Sequence, residues 1–249
     1  MTDGVAEQPQ VATTPPFGWG NDELTRSLDF ARHNQWASFH NKRSAVDRLI
    51  AIDAQFVTAS KDWLNPADEI GAFLLLRCHS SFRCAVGDAM AGRAVETYVL
   101  CRSLLEFAGY AVHIHRNPSL GIVWLDRHKD KVSMEKQKNA FSHNKVLGSV
   151  KAANVHAAER FEDLYQLTID FGGHPNERSV TGNMKMVKEP NKRTMLSIMQ
   201  HRDGPELDLA LKSVARCGLV SLELLQHSFN ARFELLGINA AMLELRKGL

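Results

Sequence analysis

The sequence predicts an all-α protein, a multi-helix bundle around a buried central helix at about 93–116, with a small β-hairpin at about 183–200. Three observations carry that reading. Apolar residues recur at helical spacing over most of the chain from Leu24 onward, and start and stop signals punctuate them at Asn65-Pro66, Asn117-Pro118 and Gly204-Pro205. Strand-type alternation is confined to one short stretch between Asn183 and Gln200. One such stretch cannot build a doubly wound sheet, which leaves helix packed on helix as the layer architecture.

In order along the chain, Asn21 reads as a helix N-cap with Asp22 and Glu23 in the first turn, followed by Leu24, Leu28 and Ala31. Trp36, Phe39, Val46, Leu49, Ile50, Phe56 and Val57 continue the apolar stripe to about Ser60, in two helices broken near Asn34 or Asn41. Asn65-Pro66 starts the next helix at Pro66, because Asn caps free amides and Pro fills the position whose amide needs no partner. It ends near Ala89. A second helix runs from Arg93 to Arg116, apolar almost all round, and Asn117-Pro118 stops it. A short helix from Ser119 to about His128 follows, and then one longer helical region from Ser133 to Phe171. Gly172-Gly173 is read as its left-handed cap, with His174-Pro175-Asn176 as a loop. Met184 and Met186 alternate against Met195, Ser197 and Met199 around Glu189-Pro190-Asn191, which gives the hairpin. After Gly204-Pro205 a long helix carries apolar residues from Leu207 to about Leu236, with a short helix behind Gly237.

A chain of 249 residues that is 44% apolar and 23% charged has the balance of a globular domain able to bury a core without disulfides or metal. Lys plus Arg number 30 against 28 Asp plus Glu, so affinity for nucleic acid has to come from local patches. The apolar run Gly71–Leu76, closed by Arg77, is far short of the ~20 residues of a membrane helix. Residues 1–20 have neither the basic nor the apolar region of a signal peptide and read as a disordered leader to one helical domain at 21–249. Cys78, Cys84, Cys101 and Cys217 lie in apolar helical segments without C-x-x-C spacing, as buried free thiols do, and place the chain in the cytoplasm. No metal or cofactor is expected. His113 and His115 point to different sides of a helix, there is no H-E-x-x-H, no Gly-rich phosphate loop and no G-x-S-x-G elbow.

The most informative group is on the central helix. Arg102, Glu106, Gly109 and His113 fall at i, i+4, i+7 and i+11 on one face, a charged stripe in an apolar helix. Burying such charges costs several kcal/mol unless they are paired, so Arg102 and Glu106 are either a structural ion pair or the base of a polar pocket. His79 stands among Leu75, Phe82 and Val86 on an inward face; His174 sits in the Gly-Gly-His-Pro loop, with Tyr165 one or two turns before it. Arg102, Glu106, His79, Tyr165 and His174 are therefore the candidate ligand-binding set. Lys129, Lys131, Lys136 and Lys138 belong to a basic stretch from Arg127 to Lys151 that can neutralise phosphates or serve as a solvated helix face.

The run Arg77-Cys78-His79, then Leu100-Cys101-Arg102-Ser103-Leu104-Leu105-Glu106, then Asn117-Pro118, resembles a bacterial family of uncharacterised all-helical proteins with an L-x-R-S-L-x-E central helix. Tyr165, Thr168 and His174-Pro175 look like that family's later Y-x-x-S and H-P elements, with Thr168 in place of Ser. The resemblance covers about residues 67–176 and implies a helical bundle, with no catalytic residues to transfer. The family is distantly similar to HEPN domains, some of which are ribonucleases of toxin and phage-defence systems that use R-x(4–6)-H. Here that spacing occurs only from Arg26 to His33, in the first helix.

Three functions remain open on the sequence. The first is a helical bundle that binds a protein partner or a small anionic ligand through a buried polar pocket. In it Arg102 supplies a cationic fork, Glu106 orients that fork, and the histidines donate hydrogen bonds. The second is a HEPN-like ribonuclease or RNA-binding protein, and the third a structural module that forms a homo-oligomer through helices such as Leu207–Phe229.

Overall fold

The computed structural model describes residues 14–63, 66 and 68–249. Most of the expected leader therefore lies outside the described residues, and its last residues, Phe17–Gly20, form a turn whose Trp19 indole donates to Asp29 at 3.3 Å. Helix α1 (Glu23–Asn41) is capped by Asp22, which accepts from the Thr25 amide at 2.8 Å, one residue later than expected. Lys42 alone separates it from α2 (Arg43–Ser60). Helix α3 (Glu69–Met90) begins three residues after the expected start, because the Asp68 carboxylate caps the Gly71 amide at 2.8 Å. Asn65 lies outside the described residues.

Between α3 and α4 (Ala94–Arg116) the chain turns at Gly92, whose φ of +79° suits only a residue without a side chain. The space is also closed there. A Cβ would overlap the His201 carbonyl oxygen, and the His201 amide donates to the Gly92 carbonyl at 2.7 Å.

Helix α5 (Ser119–Leu125) continues as a 3-10 turn, Asp126–His128. The single helical region expected from Ser133 to Phe171 is instead three helices, α6 (Lys131–Ala140), α7 (His143–Ala153) and α8 (Val155–Thr168). Asn154 makes the second break by turning its side chain onto the Ala157 amide at 3.0 Å. A π-helical turn, Ile169–Gly173, follows α8. The left-handed cap expected at Gly172 is absent, and the glycine serves close approach: a Cβ would come 2.5 Å from the Val95 carbonyl and 2.8 Å from Tyr98 Cβ.

After the short α9 (Glu177–Thr181), β1 (Met184–Glu189) and β2 (Lys192–Ser197) form the antiparallel hairpin, with Met184 opposite Ser197 and Met186 opposite Met195. Helix α10 (Pro205–Ser228) ends at Phe229, short of the expected Leu236, and α11 (Asn230–Leu235) and α12 (Ile238–Leu245) complete the chain.

The bundle is all-α apart from that hairpin. Helix α4 packs against α3, α7, α8 and α10, as a central helix does. It shares the centre with α10, which is buried nearly all round between Leu207 and Leu225. Phe56, Phe82, Phe161, Phe233, Leu104 and Leu105 are fully buried in one continuous core, each worth about 1.5–3 kcal/mol of apolar transfer. Cys78, Cys101 and Cys217 are buried, whereas Cys84 is exposed on the outer side of α3. Among the described residues no helix is long and apolar enough to cross a membrane.

Candidate functional site

Arg102 and Glu106 meet as their spacing dictates: the Arg102 Nε donates to Glu106 Oε1 at 3.0 Å. The third member comes from α8. Tyr165 accepts from Arg102 Nη2 at 2.9 Å and its hydroxyl donates to Glu106 Oε1 at 3.1 Å, which closes a triangle that ties α4 to α8. The pair is half-buried rather than sealed, with side-chain exposures of 24% for Arg102 and 37% for Glu106. The buried pocket expected around it is therefore corrected to a cluster open to solvent on one side.

Local chemistry keeps Arg102 and Tyr165 in fixed protonation states. Partial burial acts to lower Arg102, but the hydrogen bond and charge of Glu106, helped by Tyr165, hold it above its ordinary value. Burial and then the Glu106 charge push Tyr165 up to about 12 against the opposing pull of Arg102, so its hydroxyl remains a donor at neutral pH.

Two further residues join the cluster that sequence reasoning missed. His143, the first residue of α7, stacks its ring on Tyr165 with centroids 4.1 Å apart, and its Nε2 lies 2.6 Å from Glu162 Oε2. Both are partly exposed. No local pattern marks His143. Its partners lie 19 and 22 residues away, and only the turn between α7 and α8 brings them together.

The other expected members stand elsewhere. His79 does not reach Arg102: its Nε2 bonds Asp53 at 2.7 Å and its ring stacks on Phe56. Arg83 grips the same carboxylate at 2.8 and 2.9 Å. Burial acts to raise the Asp53 pKa, yet Arg83 and His79 together hold it below the usual value, so His79 belongs to a clasp between α2 and α3. His174 is exposed, and among the described residues only its backbone carbonyl is bonded, to Asn176 and Ser179. His113 is buried, with its ring between the Ser149 hydroxyl at 2.7 Å and the Ala140 carbonyl at 3.1 Å. Gly109 admits Val146 and Phe161 rather than a ligand.

Lys131, Lys136 and Lys138 are exposed on α6, and Lys145 is exposed on α7 two residues beyond His143. None forms an ion pair among the described residues, whereas Lys129 stands 3.8 Å from Asp126. Tyr165→Phe should lower the unfolding free energy by about 1 kcal/mol, since it removes one acceptor and one donor from a half-open network. A shift of the urea midpoint at constant slope would measure it.

In comparisons with family models, with curated proteins and with solved structures, nothing matches this chain.

Proposed function

We propose that the chain binds an anionic partner across α6, α7 and α8, and that the partner is RNA. The observation that carries this reading is the set of exposed lysines without acidic partners among the described residues, Lys131, Lys136, Lys138 and Lys145, on the two helices that lead into and out of His143. Arg102 is balanced by Glu106, and Glu162 adds a second carboxylate beside His143, so the lysines supply the attraction for phosphates. An open cluster whose arginine already holds Glu106 and Tyr165 favours a polymer draped over the surface above a small anion enclosed in it.

The chemistry available there is proton exchange at His143, oriented by Glu162, next to a fixed guanidinium and a protonated phenol. The Arg26 and His33 pair contributes nothing to this face. Arg26 is bonded to Glu23 at 2.5 Å, and His33 stands 3.7 Å from Asp29, on the outer side of α1.

Fluorescence anisotropy with single-stranded RNA at low and moderate salt tests the proposal. Affinity should fall steeply with salt, and replacing Lys131, Lys136 and Lys138 with Gln should weaken binding and flatten the salt slope by about two units, at ~0.7 per phosphate contact. Absence of binding at both salt concentrations removes RNA as the partner. Following the RNA on a gel in the same samples shows whether binding is accompanied by cleavage, and loss of cleavage in His143→Ala would give His143 the chemical role.

A further inference from the structure

A second concentration of positive charge lies where α8, α10 and the end of α12 meet. On α10, Arg216, Leu219, Val220 and Glu223 fall at i, i+3, i+4 and i+7, one face of a helix that packs on α8 and α12. Helix α8 adds Arg160 and Leu164 one turn apart, and Arg246 caps α12. Apart from Glu223, which lies behind them, these side chains line a cleft of about 190 Å³, completed by Leu249, and among the described residues no acidic side chain lines it.

Charge within this group is unbalanced. Glu223, with a side chain only 9% exposed, is held by both Arg160, at 2.5 and 3.2 Å, and Arg246, at 2.6 and 3.4 Å. One carboxylate thus serves two guanidinium groups. Arg216, half-buried on the same cleft, has no carboxylate within ion-pair distance among the described residues and no hydrogen bond to any of them. Three guanidinium side chains against one carboxylate side chain, partly withdrawn from water, favour an anion that can accept several hydrogen bonds at once. The leucines of the lining provide room for a short apolar substituent, and the volume equals that of roughly six waters.

We propose that this cleft binds a small phosphate dianion, as the free ion or as the head of a small phosphomonoester, with Arg216 donating its unused hydrogen bonds to the phosphate oxygens. Arg160 and Arg246 present their remaining N–H groups from the other side while Glu223 fixes their orientation. The site is separate from the lysine face and does not depend on RNA binding.

Isothermal titration calorimetry of the full chain at fixed ionic strength, with inorganic phosphate and in parallel with butyl phosphate, provides the test. Saturable one-to-one binding is expected, weakened about tenfold or more in Arg216→Ala, since a charge-assisted bond to phosphate is lost. Lys212→Ala, which removes the same charge one turn away on α10, should leave it within about twofold. Tighter butyl phosphate identifies an organic phosphomonoester as the ligand, and tighter inorganic phosphate identifies the free ion. If Arg216→Ala is poorly folded by circular dichroism, Arg216→Gln keeps the stem and removes the charge, with the same expectation. No binding at millimolar phosphate, or equal affinity in wild type and the Arg216 variants, overturns the proposal.

Discussion

Gly218→Val should cost about 3 kcal/mol of unfolding free energy, the upper end for overpacking of a well-filled core. Gly218 lies mid-way along α10, where a Cβ would meet Phe82 Cε2 at 2.6 Å and Ile52 Cγ2 at 3.0 Å. Neither neighbour has an exit, because both are fully buried between α2, α3 and α10. The matching control is Gly148→Ala on the outer side of α7, where nothing lies within 4 Å of the new carbon. That change should stabilise by about 0.5–1 kcal/mol through helix propensity alone. Urea unfolding of the two variants would measure opposite signs for the same kind of residue, and a neutral Gly218→Val would show that α10 packs less tightly on α3 than its backbone spacing requires.

Glu223→Leu should cost a similar amount, about 3 kcal/mol. Breaking a buried ion pair from one side leaves its partners uncompensated, and the low end of that range applies because Arg160 and Arg246 are 40% and 30% exposed. The penalty belongs to the stranded charges rather than to the lost bonds. Changing Arg160 and Arg246 to Met in the same protein should therefore recover much of it, and thermal unfolding of the single and triple variants separates the two contributions.

The fold was legible because helical periodicity is a property of each segment by itself. The central helix α4, the hairpin and the stop at Asn117-Pro118 are found where the spacing predicts them. Their ends were less legible where several capping residues compete. Asp22 follows Asn21, and Asp68 follows Asn65, and in each case the carboxylate that reaches an amide three residues on sets the boundary. The breaks at Phe141-Ser142 and Phe229 carry neither Gly nor Pro, so periodicity ran through them.

At the site, Arg102 and Glu106 were legible as an i, i+4 pair, and Tyr165 through its place one or two turns before the His174 loop; the structure brings these three together. His79 was not, because the inward face it shares with Phe82 is turned to α2, where Asp53 waits. The His143 contacts and the arginines around Glu223 depend on which helices become neighbours, which spacing within one helix does not encode.

Helix α10 fills the centre of the bundle although it is the last long helix in the chain. During synthesis the ribosome would release α1 to α8 before the piece that covers them exists, leaving the greasy sides of α3 and α4 wet until residue 228 has emerged. Completion of this protein is thus a late and abrupt event, and a nascent chain stalled before α10 would be a substrate for chaperones rather than a smaller version of the same domain.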